Sequence, residues 1–417
     1  MKTIIKHLEI KVILIAVLAF LLGWQTGHRD ILLKWENYKP KVSIENRLPP
    51  KNIDLDFKLF WDSWELLTRE YLDKEAVDPQ KMFYGAISGM VAAIGDPYTF
   101  FLTPEVQKSS KEELNGAFEG VGIQLGFNKD KRLVVVAPLS GTPAEKAGIK
   151  AQDLIVKIDD KDTSGISLPE AVKLIRGGKG TKVNLTILRE DGVEPKDYTL
   201  TRDTIIVKSV EVTYKTTPGG KDVAILKLSR FGERTKDEWR EAVSDVVSRS
   251  PKGLVLDIRN NPGGFLEGAV FIASEFLDSG DVVLQENASG QRTSFKVNRK
   301  GELIKIPTVV LINKGSASAS EIVAGALQDR KRAKLVGDKS FGKGTIQEAQ
   351  DLEGGTGIHI TVAKWLTPNE HWVNDTSGLE PDIEVLEENV GEEKDETRLP
   401  DGQAKDIQLE KALELLD

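Results

Sequence analysis

The chain has 417 residues, too many for one ordinary hydrophobic core, and at about 150 residues per domain it should fold as two or three. Its 40% hydrophobic and 29% charged residues suit a water-soluble globular protein, and a net charge of −8, with no Lys/Arg cluster free of acidic neighbours, argues against a nucleic-acid binder. Cysteine is absent, which excludes disulfides, a thiolate nucleophile and Cys-ligated zinc, and the four histidines (His7, His28, His359, His371) form no HExxH pair.

Residues 1–28 carry Lys2, Lys6 and Lys11 and then run apolar from Val12 to Trp24, with no small-residue cleavage site after them. This predicts an uncleaved, single-pass signal anchor. The basic flank places the N-terminus in the cytoplasm and the body of the protein outside a bacterial cell membrane, in the periplasm or at the cell exterior. Residues 29–54, polar and interrupted by Pro40, Pro49 and Pro50, read as a stalk. In the helical region 55–112, Phe57, Phe60, Trp61, Trp64, Leu67 and Tyr71 recur at spacings of three and four, which predicts one face of a helix that packs as core. A second helix should follow Pro79.

Residues 117–203 change texture. Short β-branched runs such as VGIQLGF, LVVVAPL and VNLTILR alternate with turn signals and two helical pieces, predicting a compact, partly open sheet. From Val223 strands alternate with helices expected at 235–249, 265–277 and 317–330, the signature of an α/β layer with a largely parallel sheet. Residues 387–417 begin as a charged stretch and end in an amphipathic helix.

In such layers reactive groups tend to sit on loops leaving the carboxyl ends of strands. One loop, DIRNNPGG (257–264), enters a helix through glycines whose N-H groups could face an anion, although a tight turn explains the glycines equally well. The other, NKGSASASE (313–321), offers Ser316, Ser318 and Ser320. A serine needs a base. Lys343, in FGKGTIQ (341–347), could serve only if burial lowered its pKa, since at about 10.4 only about one lysine in 2,500 is neutral near pH 7. His359 and His371 are rival bases, His359 on a strand-like alternation, and Asp257 with Arg259 reads as an ion pair or loop brace.

These residues resemble the carboxyl-terminal processing peptidases, serine proteases of the S41 type, in DIRNNPGG, SASE (318–321) and FGKGTIQ, in the family's order. The resemblance implies a multidomain fold, α/β and α+β, with a crotonase/ClpP-like α/β protease core over 206–386 and an N-terminal helical segment. It implies Ser318 as nucleophile, Lys343 as general base, Gln347 orienting the lysine, and the N-H groups of Gly264 and Ala319 as oxyanion hole. Glu321 would be a supporting residue of the loop, although first-turn helix stabilisation accounts for it as well.

Residues 113–205 resemble a PDZ domain in GVGIQLGF (120–127) and GTPAEKAGIKAQDLIVKIDD (141–160). That implies a carboxylate loop at Gly120, Val121, Gly122 and Ile123, with an extended peptide added to the sheet edge against the apolar side of helix 168–175. Expected partners are proteins or peptides with free C-termini, the membrane, and an adaptor or a second copy of the chain, without cofactor, metal or nucleic acid. Three rival readings stand: an inert PDZ scaffold, an acyl-CoA enzyme, and a Ser-His-Asp hydrolase. The last is disfavoured because no G-x-S-x-G elbow occurs.

Overall fold

Val, Ile and Leu occupy successive positions of Asp222–Leu228, Gly253–Asp257 and Thr308–Ile312, as strands buried on both faces require. In the computed structural model they form the centre of a six-stranded sheet. Its order is Val210–Thr216, Asp222–Leu228, Gly253–Asp257, Thr308–Ile312, Lys334–Gly337, Ile383–Glu384, antiparallel at the first pair and parallel thereafter. The structure describes residues 31–36, 39–44, 56–189, 194–386 and 406–417. They fall into two units, 1–82 and 83–417.

Strand alternation divides the side chains between two cores. Ala224, Leu226, Leu254 and Leu256 pack with the helices Thr235–Arg249, Leu266–Ala273 and Ala319–Asp329. Val223, Ile225, Val255 and Val309 meet Leu409, Ala412, Leu413 and Leu416 of the C-terminal helix Ile407–Leu416. The helix expected at 265–277 is shorter, because beyond Ala273 the buried Glu275 carboxylate turns to accept from Trp239 Nε1 and Arg299. The charged stretch 387–405 lies outside the described residues.

A second, antiparallel sheet holds Arg292–Lys296, Asp281–Asn287, Gly357–Leu366 and Thr345–Asp351, with Phe100–Leu102 paired to Gly357–Leu366. Only Gly357–Leu366 reads as strand from sequence. Arg292–Lys296 and Thr345–Asp351 are mostly polar and carry little hydrophobic period, and Phe100–Leu102 has only three residues, too few to show one.

Residues 117–206 form a module with its own core of Val121, Leu133, Val135, Ile155, Ile158 and Leu185. Its sheet runs Lys196–Thr201, Lys182–Leu188, Leu154–Ile158, Leu133–Pro138, Ile123–Phe127, so Ile123–Phe127 is an edge. The entering strand Ala117–Gly120 pairs antiparallel with the leaving strand Asp203–Ile206. Chain entry and exit are therefore adjacent, as an insertion requires.

In the first unit, part of the expected 29–54 stalk is a hairpin, Ile31–Glu36 paired with Lys39–Ile44. The prolines that suggested a stalk do not prevent it, because Pro40 sits near the start of its strand, where a missing N-H is tolerated. Contrary to expectation, the aromatic stripe is not core. No residue of the helix Lys58–Glu70 is buried, and Trp61 is 60% exposed. Its rings touch one another instead, Phe60 edge-on to Trp61 with ring centres 5.0 Å apart and tilted to Trp64 at 5.9 Å. Helical spacing shows that residues share a face; it does not show what covers that face. Among the described residues no helix is long and apolar enough to cross a membrane. The segment 1–28, expected to be the anchor, lies outside them.

Candidate active site

Three serines alternate in the loop between Thr308–Ile312 and Ala319–Asp329, and their surroundings separate them. Ser316 Oγ is buried and donates to Ile258 O at 2.8 Å while accepting from Asn313 N at 3.0 Å. Ser320 Oγ is buried 2.6 Å from Asn261 O and accepts from Ala317 N at 3.1 Å. Ser318 Oγ meets only its own helix, facing the Glu321 N-H in the capping box that opens Ala319–Asp329, and is tied to no other loop. Its backbone sits at φ 55°, ψ −116°, a region that costs a non-glycine residue about 1–3 kcal/mol and persists only where neighbours enforce it.

The glycine loop is one such neighbour. Asn261, fully buried, donates from Nδ2 to Leu228 O, and its side-chain and backbone carbonyls accept from Gly263 N and Ala317 N. Gly263 has φ +102° and Gly264 φ +139°. A Cβ on Gly263 would stand 2.9 Å from both Ser318 Cβ and Ala319 N, and one on Gly264 would stand 2.1 Å from Phe231 O. Only glycine therefore lets this loop lie against the serine. The N-H groups of Gly264 and Ala319 find no acceptor among the described residues, which leaves two donors near Ser318.

Glu321, fully buried, joins the serine loop to the lysine loop. Its Oε2 accepts from Ser318 N at 2.8 Å and from Lys343 N at 2.9 Å; its Oε1 accepts from Ser340 Oγ at 2.6 Å and Gly342 N at 2.7 Å. One carboxylate oxygen thus holds the backbones of both residues. Lys343 O accepts from Trp365 Nε1 at 2.9 Å, and Gly344 is pinned by Asn374 and Trp372, whose side chains would clash with any Cβ there.

The Lys343 side chain runs into a half-buried space, its Nζ 4.8 Å from the centre of the Tyr98 ring. Burial pushes its pKa below the usual lysine value, against Asp96 first and Glu321 second, whose charges favour the ammonium. No hydrogen bond joins Lys343 Nζ to Ser318 Oγ or to Gln347. The Gln347 amide, displaced by a strand irregularity between Ile346 and Gln347, donates instead to Thr345 Oγ1 at 2.9 Å and Thr361 Oγ1 at 3.2 Å. His359 lies against Phe100, ring centres 4.9 Å apart, and burial followed by the Lys343 charge lowers its pKa. His371 sits in a turn closed by the Thr367 N to His371 O bond.

Behind the glycine loop, Arg259 bridges Asp257 at 2.7 Å and Asp406 at 2.7 Å and donates to Gln408 Oε1 at 3.0 Å. Burial opposes the Arg259 charge, but the two carboxylates raise its pKa beyond the ordinary value. The brace expected from sequence therefore extends to the C-terminal helix.

In the inserted module, Gly120 ends the entering strand and Ile123 begins the edge strand Ile123–Phe127. Leu139 N and Ala144 N donate to Gly122 O and Val121 O, so the carbonyls are engaged within the module. The Val121 and Gly122 N-H groups find no acceptor among the described residues. Gly122 has φ +78°, and a Cβ there would meet Thr142 at 2.4 Å. The helix Leu168–Ile175, N-capped by Ser167, packs against the edge strand, leaving a strip of open backbone beside an apolar helix.

Sequence reasoning missed the Asp96, Tyr98, Thr99 and Thr361 surroundings of the lysine. The signal was DPYT (96–99), an Asp-Pro turn signature, but nothing local shows that strand pairing of Phe100–Leu102 carries it to the lysine.

The fold and these loops are those of a PDZ-bearing serine peptidase, and known proteins agree. The model of peptidase family S41 matches residues 222–385, and that of a PDZ domain residues 134–189. The chain is 38% identical over 333 residues to the carboxy-terminal processing protease CtpA of Bacillus subtilis (strain 168), covering 80% of this chain and 69% of that protein. It is also 38% identical over 376 residues to the carboxyl-terminal-processing protease of Synechocystis sp. (strain ATCC 27184 / PCC 6803 / Kazusa), covering 86% of each. A solved structure from Bacteroides fragilis NCTC 9343, assigned to the S41 proteases, shares the fold with a TM-score of 0.55 at 18% identity over 89% of this chain and 99% of that one. The chain belongs to peptidase family S41, as a serine protease of the carboxyl-terminal processing kind.

Proposed function

We propose that the protein is a membrane-anchored endopeptidase, its body outside the cytoplasm, that takes substrate C-termini into the PDZ groove and cuts peptide bonds with a Ser318-Lys343 dyad. The observation that carries the dyad is the single Glu321 oxygen accepting from both Ser318 N and Lys343 N, which keeps the two loops in register. Residues 1–28, basic and then apolar, support the anchor.

The incoming carboxylate is held by the loop Gly120, Val121, Gly122 and Ile123, and the peptide extends along the open edge of Ile123–Phe127. At the dyad, the neutral Lys343 amine, on its flexible four-carbon stem, swings to Ser318 and is steadied there by Gln347. It takes the Oγ proton as Oγ bonds to the peptide carbonyl carbon. The oxygen gains negative charge and is met by the N-H groups of Gly264 and Ala319. The C-N bond then breaks, the lysine proton passes to the leaving amine, and an acyl ester remains on Ser318. A water, deprotonated by Lys343, hydrolyses it.

The test is turnover of an unstructured reporter protein with varied C-terminal residues. Ser318→Ala and Lys343→Ala are expected to lose hydrolysis while still binding the reporter tail. Turnover by either variant at the wild-type rate would refute the dyad.

A further inference from the structure

The surroundings of Lys343 contain more than the dyad needs. Its ammonium lies over the Tyr98 ring, at a distance where the negative face of an aromatic ring attracts a cation. Tyr98 stands on a turn built by Asp96, whose carboxylate accepts from Tyr98 N at 3.0 Å and Thr99 Oγ1 at 2.7 Å. Thr99 Oγ1 also accepts from Thr361 N, and Thr361 Oγ1 receives the Gln347 amide. Asp96, Thr99, Thr361 and Gln347 therefore form one connected network beside the lysine. Pairing of Phe100 with His359 fixes this turn to the sheet that carries Gln347.

We propose that Asp96 and Tyr98 are positioning residues that hold the Lys343 ammonium at rest, apart from Ser318, and so govern how much of the base is free to act. The inference rests on Lys343 being the base. Tyr98 from the turn lies against the ammonium, and the charged groups that act on it from beyond ion-pair distance are Asp96 from the same turn, Glu321 from the serine helix and His359 from the strand Gly357–Leu366. Glu321 is already occupied by four donors, and His359 feels the lysine charge as a repulsion. Asp96 and Tyr98 are left to attract it. Both favour the charged amine, and only the neutral amine accepts a proton. Holding the lysine therefore opposes catalysis most strongly at low pH, where the ammonium dominates.

The experiment is the pH profile of kcat/KM on a fluorogenic peptide with a free apolar C-terminus, for wild type, Asp96→Asn, Tyr98→Leu and Tyr98→Phe. Ser318→Ala and Lys343→Ala serve as reference arms. Removing the carboxylate should move the acid limb to lower pH, so that at its foot kcat/KM, taken relative to each enzyme's plateau, rises about threefold to tenfold in Asp96→Asn. Tyr98→Leu should move it the same way by less, and Tyr98→Phe, which keeps the ring face, should follow wild type. If Asp96→Asn does not fold, the Leu and Phe variants of Tyr98 decide the matter alone. Superimposable wild-type, Asp96→Asn and Tyr98→Leu profiles, with Lys343→Ala inactive, would overturn this inference and leave the dyad standing. Turnover by Lys343→Ala would overturn both.

Discussion

The residue on which the site turns is Glu321, because its buried carboxylate satisfies donors from both catalytic loops at once. Glu321→Ala would strand the N-H groups of Ser318, Gly342 and Lys343 and the Ser340 hydroxyl, and each unsatisfied group costs about 1–3 kcal/mol. The expected result is a lowered urea midpoint together with lost turnover. Ser318→Ala, which removes only a hydroxyl that caps its own helix, should lose turnover at a cost of about 0.5–2 kcal/mol in stability, well below that of Glu321→Ala. Lys343 gives the pH dependence. Burial lowers its folded pKa below the unfolded value, so between the two the unfolded chain binds more protons and stability rises with pH. In the proposed dyad the neutral amine is the base, so activity should rise in the same direction, with an acid limb below the ordinary lysine range. Lys343→Met should remove the stability slope that Lys343 contributes, which urea melts at several pH values would detect. At this scale the sequence was only partly legible. The three serines are chemically equal in the string SASAS, and only their partners in space show that Ser316 and Ser320 are tied down.

At the scale of elements, the parallel strands and the helices Thr235–Arg249 and Ala319–Asp329 were readable because continuous apolar runs and helical spacing report burial directly. The second sheet was not, since Thr345–Asp351 and Arg292–Lys296 are held by pairing with apolar neighbours and carry little pattern of their own. The C-terminal helix is amphipathic in sequence, but its role as the cover of one sheet face and as an Arg259 partner depends on contacts across about 150 residues of chain. Two substitutions test it. Leu413→Ala should cost about 2–5 kcal/mol in denaturant unfolding, as for other large-to-small core changes. Asp257→Asn breaks a pair in which both side chains are largely buried, and should cost about 3–5 kcal/mol and reduce turnover by loosening the glycine loop. An unchanged midpoint in Leu413→Ala would mean that the helix cover contributes little, and in Asp257→Asn that the brace does.

For the whole molecule, the pairing of Ala117–Gly120 with Asp203–Ile206 gives a way to separate the two functions of the chain. Joining Gly120 to Asp203 through an Asn-Gly turn keeps that pair and removes the module between them. The shortened protein is expected to fold, to keep cleaving short peptides, and to lose its preference for substrates with a free C-terminus. Equal discrimination by both forms would place C-terminus recognition elsewhere. The order of the loops along the chain made the family legible from sequence, whereas the exposed aromatic face of Lys58–Glu70 shows where periodicity stops informing.

The most direct measurement of the central claim is the rate at which a fluorophosphonate labels the protein as pH is varied, with the modified peptide located by mass spectrometry. The account predicts label on Ser318 alone, at a rate that follows one ionisation below the usual lysine value and falls to background in Lys343→Ala. Label on Ser316 or Ser320, or undiminished labelling of Ser318 in Lys343→Ala, would contradict it.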